Sequence, residues 1–166
     1  MKIAVVFYSL SGNTEYIASA VANETGADLI KIEPVVPYPD KGFKMFFHGG
    51  RGAIFGETPK LKEYEFDAQK YDLIVFGTPI WAGNATPPVH TFMEDNKNAL
   101  KGKKTAVFTC SSGGSAEKAV RKMAGYLGIE KFDAVLSTKD PKVKNLPEDR
   151  EKTKEFCKSL IKLTDN

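Results

Sequence analysis

Three short stretches of this chain gather residue types that bind a small polar ligand. The first is Ser9-Leu10-Ser11-Gly12-Asn13-Thr14, with three hydroxyls, one amide and a glycine. Ile17, Ala18, Val21 and Ala22 follow at helical spacing, so the stretch opens a helix. The first N–H groups of a helix have no partner inside it, and the helix dipole favours an anion there. No Lys or Arg lies in the stretch. Neutral donors suit a phosphate monoester and argue against a triphosphate site. GxxxxGK[ST] and a strand-linked GxGxxG are both missing from the chain. The plainer reading is a Ser-rich turn that only caps its helix.

The second stretch is Gly77-Thr78-Pro79-Ile80-Trp81-Ala82-Gly83-Asn84, and it carries the single Trp. An indole at the end of a strand can stack on a flat heteroaromatic ring, or pack against its own loop. The third is Thr109-Cys110-Ser111-Ser112-Gly113-Gly114-Ser115. Its small residues let backbone N–H groups approach the edge of a planar ligand, or simply give a flexible lead into a helix.

These stretches must be positioned by regular elements, and the apolar pattern supplies them. Ile3 to Tyr8, Leu29 to Ile32, Leu73 to Phe76, Thr105 to Thr109 and Phe132 to Leu136 are short, mostly apolar runs that suit strands buried on both faces. Helical periodicity separates them. Gly26 is placed to stop the first helix, Thr86-Pro87 and Ser115 to start the third-loop and fourth-loop helices, and Asn145 with Glu148 to form a capping box around Pro147. Strand–helix alternation of this kind predicts a parallel sheet with right-handed crossovers and helices on both faces. Ligands in such sheets bind beyond the C-terminal strand ends, so the loops after strands one, three and four share one crevice. Gly77 to Asn84 is expected to be a loop, with Ala82-Gly83 as a type II turn whose positive φ falls on Gly83 alone.

As a set, SxSGNT after strand one, GTPIWAG after strand three and a Ser/Gly-rich loop after strand four resemble the flavodoxins. The resemblance spans nearly the whole chain and is of the short-chain type. It implies a doubly wound five-stranded parallel sheet in the order 2-1-3-4-5, forming one flavodoxin-like α/β domain over residues 1–166. It implies FMN as cofactor and a role in electron transfer; the two cysteines without a disulfide framework make a reducing cytoplasm the expected compartment. Ser9, Leu10, Ser11, Gly12, Asn13 and Thr14 would hold the FMN phosphate. Thr78, Pro79, Ile80, Trp81, Ala82, Gly83 and Asn84 would border the isoalloxazine, and Cys110, Ser111, Ser112 and Gly113 would meet its pyrimidine end. No side chain is assigned as catalytic, because the flavin carries the chemistry.

Three features differ from many flavodoxins. Ser111 to Ser115 contains no aromatic residue, the chain is not acidic, and the connection from about Glu33 to Tyr71 is long. An open flavin face admits a nicotinamide or a quinone. The leading reading is a shuttle between redox proteins. An FMN-dependent NAD(P)H or quinone oxidoreductase and a flavin-free binding domain on the same fold stand beside it.

Composition narrows the partners. With 24 basic and 21 acidic residues the net charge is only +3, and no basic run is interleaved with aromatics, so nucleic acid is not expected. No run approaches the ~18 apolar residues of a membrane span. Two cysteines, Cys110 and Cys157, without CxxC, give neither a disulfide framework nor a metal site. Both read as packing residues, and His48 and His90 as ordinary surface or helix residues. Within the long connection, Phe43, Phe46, Phe47, Gly50 and Ile54 follow helical spacing. A minor local core, a lid over the cofactor and a subunit contact are the readings of that segment.

Overall fold

The computed structural model describes residues 2–39 and 50–165. Six strands and six α-helices, with one short 3-10 turn at Ala68–Lys70, lie within them. The strands are β1 (Ile3–Phe7), β2 (Asp28–Lys31), β3 (Leu73–Trp81), β4 (Asn84–Ala85), β5 (Lys104–Ser111) and β6 (Ala134–Lys139). The helices are α1 (Asn13–Thr25), α2 (Gly50–Phe55), α3 (Pro87–Leu100), α4 (Glu117–Leu127), α5 (Pro141–Lys144) and α6 (Pro147–Asp165). No described helix is long and apolar enough to cross a membrane.

The sheet runs β2-β1-β3-β5-β6 in parallel pairs, and β4 pairs antiparallel with the end of β3. The expected α/β architecture is present, but the sheet has six strands rather than five. The difference arises in one place. Gly77 to Asn84 is not a loop: β3 continues to Trp81, turns through Ala82 and Gly83, and returns as β4, pairing Ile80 with Ala85 and Trp81 with Asn84.

Alternation along each strand divides the core between the two faces. Ala4, Val6, Ile74, Phe76 and Val107 pack with Val89, Phe92 and Met93 of α3 and Met123 of α4. Ile3, Val5, Leu73, Val75 and Phe108 pack with Ile17 and Val21 of α1 and Phe156 and Leu160 of α6. Gly77 is demanded by this packing, because a Cβ there would stand 2.3 Å from Phe108 Cζ.

Gly26 ends α1 in the left-handed region at φ 69, as its position predicts. Ser115 Oγ accepts from the Glu117 N–H at 3.2 Å. Thr86 does precede α3, but its hydroxyl caps no helix N–H and lies 3.1 Å from that of Thr78. The capping box is not formed: Asn145 Oδ1 accepts from Arg150 Nε at 2.9 Å and closes α5 at φ 47.

The long connection is tied at its base. Pro34 bridges Leu61 antiparallel, with the Val35 N–H on the Lys60 carbonyl and the Lys62 N–H on the Glu33 carbonyl, each at 2.8 Å. Of the proposed apolar stripe, Phe43, Phe46 and Phe47 lie outside the described residues, as does His48. Ile54 is 56% exposed, so it is no part of a local core, whereas Gly52 and Ala53 of α2 are buried.

Candidate functional site

The C-terminal ends of β1, β3, β5 and β6 enclose a cleft of about 490 Å³. Its floor is the start of α1. Gly12 precedes that helix at φ 87, a conformation open to glycine. Ser9 Oγ accepts from the Glu15 N–H at 3.2 Å and so stabilises the first turn. Thr14 is 1% exposed, and its Oγ1 has no oxygen or nitrogen partner, only the sulfur of the neighbouring Cys110 as a weak acceptor. A buried hydroxyl rarely stays without a strong partner, and this one sits at the start of a helix where Ser9 takes the Glu15 N–H and Gly12 the Tyr16 N–H, leaving those of Asn13 and Thr14 open.

The β3–β4 hairpin forms one wall. Ala82 at φ 48 and Gly83 at φ 74 are both in the left-handed region. That is the signature of a type I′ turn, not of the expected type II. A two-residue hairpin needs the twist of the primed turns, and this need overrides the reluctance of alanine toward positive φ. Positive φ thus falls on Gly83, as the sequence predicts, and on Ala82 as well, which the sequence does not predict. Asn84 holds the turn from inside: its Nδ2 donates to the Ala82 carbonyl at 2.9 Å, and Lys122 of α4 donates to its Oδ1 at 3.1 Å. Thr78 is fully buried beneath, its Oγ accepting the Thr86 N–H at 3.1 Å.

Trp81 is the apolar plate of this wall. Its ring meets Tyr38 edge-on at 5.1 Å and Tyr8 at 5.8 Å. Burial and the neighbouring phenol raise the Tyr8 hydroxyl well above its usual range, and burial pushes Tyr38 up to about 12. Both phenols are therefore neutral, and the cluster is a hydrophobic buttress. The opposite wall is Cys110, Ser111 and Ser112. Burial pushes the Cys110 thiol up to about 11, and Thr138 Oγ1 donates to its sulfur at 3.4 Å. A thiol so held is inert packing rather than a redox nucleophile.

The cleft thus unites residues from all three stretches: Leu10, Ser11, Asn13 and Thr14; Pro79, Ile80, Trp81 and Ala82; Cys110, Ser111 and Ser112. Ser9, Thr78 and Asn84 stand behind this lining as supports. Gly12 lies under the helix start, Gly83 at the open tip of the hairpin and Gly113 beside Lys139. Two more residues line the cleft: Gly50, named in the sequence only as part of the long connection's stripe, and Asp140, which the sequence did not single out. Gly50 belongs to the long connection and faces the Ala82 methyl at 3.7 Å from its own Cβ position. Asp140 directly follows β6, at the C-terminal strand ends where ligands of parallel sheets gather.

A family model described as Flavodoxin matches residues 2–157. The chain belongs to the flavodoxin family. Among solved structures, this flavodoxin superposes on the flavoprotein in complex with FMN from Lactobacillus acidophilus NCFM with a TM-score of 0.72. The identity is 23%, over 87% of this chain and 97% of that one. Against oxidised Flavodoxin 1 from Bacillus cereus the TM-score is 0.57 at 22% identity, over 98% of both chains. A protein of Syntrophus aciditrophicus (strain SB) named NAD(P)H dehydrogenase (quinone) is 33% identical over 119 residues, 66% of this chain and 57% of that relative's length. This flavodoxin therefore spans little more than half of that relative.

Proposed function

We propose that the cleft binds FMN and that the protein is a flavodoxin passing electrons between redox proteins. The observation that carries the reading is the buried Thr14 hydroxyl at the N-terminus of α1, which lacks any oxygen or nitrogen partner and lies in the same cleft as Trp81 and the Cys110–Ser112 wall. A phosphate monoester at the helix start would satisfy that hydroxyl, and a flat ring fits between the two walls. The Ser11 and Thr14 hydroxyls and the N–H groups of Asn13 and Thr14 hold the phosphate. Pro79, Ile80, Trp81 and Ala82 border the ring, and the backbone of Cys110 to Ser112 meets its polar edge. Bound FMN supplies one- and two-electron chemistry, while the chain binds, orients and shields it. The cytoplasm, where thiols stay reduced, suits the two free cysteines.

A second reading keeps FMN and changes the job. Ser111 to Ser115 puts no aromatic side chain on the second wall, and the Syntrophus relative is named for NAD(P)H and quinone. An FMN-dependent NAD(P)H or quinone oxidoreductase would use that open side for hydride or quinone access. The deciding experiment is anaerobic. The purified protein should be yellow, and NADH or NADPH alone should fail to bleach it. Stepwise chemical reduction should resolve two one-electron potentials. Rapid bleaching by NADPH with turnover on a quinone would establish the oxidoreductase instead, and a colourless protein that takes up no FMN would establish a flavin-free domain.

A further inference from the structure

The helix-start loop has no basic residue in its own sequence, yet the fold brings one to it. α5 lies against the start of α1 and is held there at two points. The Lys142 N–H donates to Asn13 Oδ1 at 3.0 Å, and the Tyr16 hydroxyl donates to Asn145 Oδ1 at 3.4 Å. Asp140 and Asn145, at its two ends, both sit at φ 47, so the chain turns sharply into and out of this single helical turn. From it the Lys142 side chain runs across Gly12. A Cβ on Gly12 would stand 2.9 Å from Lys142 Nζ and 3.5 Å from its Cδ. The bare backbone of Gly12 is what leaves room for the ammonium. Lys144 on the same turn is engaged by Asp140 at 3.3 Å. Lys142 Nζ has no hydrogen bond or ion pair among the described residues. The Thr14 hydroxyl, without an oxygen or nitrogen partner, lies just inside the same loop.

We propose that Lys142 is a further binding residue of the cleft, supplying the phosphate of FMN with the positive charge that Ser9 to Thr14 lacks. Asn13 is then a positioning residue. Its carboxamide reaches Ser11 Oγ at 3.4 Å on one side and the Lys142 backbone on the other, and so sets the ammonium over the loop. This rests on the FMN reading above. The charge comes from an exposed side chain on a separate element, so its contribution is screened by salt, unlike that of the buried Thr14 hydroxyl.

The test is a titration of apoprotein with FMN and with riboflavin, read by quenching of flavin fluorescence at low and high salt. Lys142→Gln should weaken FMN roughly fivefold at low salt, the scale of an exposed charge contact. Lys142→Glu should weaken it further. Riboflavin should bind both variants as it binds the unaltered chain, and in Lys142→Gln the salt dependence of FMN binding should flatten. Asn13→Ala should reproduce part of the Lys142→Gln loss and add little to it in the double variant. If Lys142→Gln leaves FMN affinity and its salt dependence unchanged while Thr14→Val still weakens FMN selectively, the role of Lys142 is refuted and the FMN site stands. Equal weakening of riboflavin also refutes it, because the side chain would then act on the ring or the fold. An unaltered chain that binds FMN no better than riboflavin overturns the phosphate site itself.

Discussion

Ala82 carries a strain that most hairpins avoid by using Gly, Asn or Asp at that position. A β-carbon at φ 48 costs roughly 1–2 kcal/mol. Ala82→Gly should therefore raise stability by about 1 kcal/mol, and Gly83→Ala, at φ 74, should lower it by a similar amount. Urea midpoints of the apoprotein would register both. The Ala82 carbonyl, engaged by Asn84, lies beside the cleft, so both substitutions should also shift the one-electron potentials of the FMN-loaded protein. Potentials unmoved by either variant would separate the turn from redox tuning. Deeper in the cleft, Thr14→Val and Ser11→Ala should each weaken FMN by about 1.5–3 kcal/mol, the value of a charge-assisted hydrogen bond, and leave riboflavin nearly unaffected. Isothermal titration with the two flavins would check this. The residues behind these predictions were only partly legible in the sequence. Ser11, Thr14 and Trp81 declare themselves by type and place. The positive φ of Ala82 does not, because a preference for ordinary φ is a local property and the hairpin is not.

Element by element, legibility follows the source of the ordering force. The runs at Ile3, Leu73 and Thr105 become strands because they are apolar enough to be buried on both faces, a property written in the composition of each run. The extension of β3 to Trp81 was hidden, since Pro79 and a glycine-containing turn normally signal a loop. The α5 turn was hidden too: four residues between two left-handed ones carry no periodicity to detect. Gly77 illustrates the opposite error. It opens a motif read for ligand binding, yet its missing side chain serves the packing of β3 against Phe108 of β5. Gly77→Ala should destabilise the protein by roughly 1–3 kcal/mol through overpacking. Adding Phe108→Leu, which removes the clashing ring edge, should recover part of that loss. Thermal unfolding of the single and double variants would show it, and a double variant no more stable than the sum of its parts would place the cost elsewhere.

At the scale of the molecule, stability should fall in alkali. The Cys110 thiol is pushed from an ordinary 9.0 to about 11, with burial as the main cause, and Cys157 likewise. The folded chain holds these protons longer than the unfolded chain does. The stabilisation is complete below pH 9 and is lost as pH rises through about 11, by roughly 2–3 kcal/mol for Cys110. The buried phenols of Tyr8 and Tyr38 act in the same direction at still higher pH. Urea midpoints should drop between about pH 9 and 11, and Cys110→Ala should make the drop shallower. A flat profile in that interval would mean that the thiols ionise as freely in the folded chain as in the unfolded one.

The aromatic cluster on the cleft wall also turns the protein into its own optical gauge. The chain has one indole, so emission excited at the long-wavelength edge of tryptophan absorption comes from Trp81 alone. On one side that ring faces the cleft; on the other it rests edge-on against Tyr38, which the chain delivers from the base of the long connection. A yellow ligand arriving in the cleft would drain the emission by energy transfer without moving its colour. Release of Tyr38 from the wall would instead let water reach the indole and redden the emission while leaving it bright. Arrival of the cofactor and release of Tyr38 can therefore be followed separately, in real time and without a label.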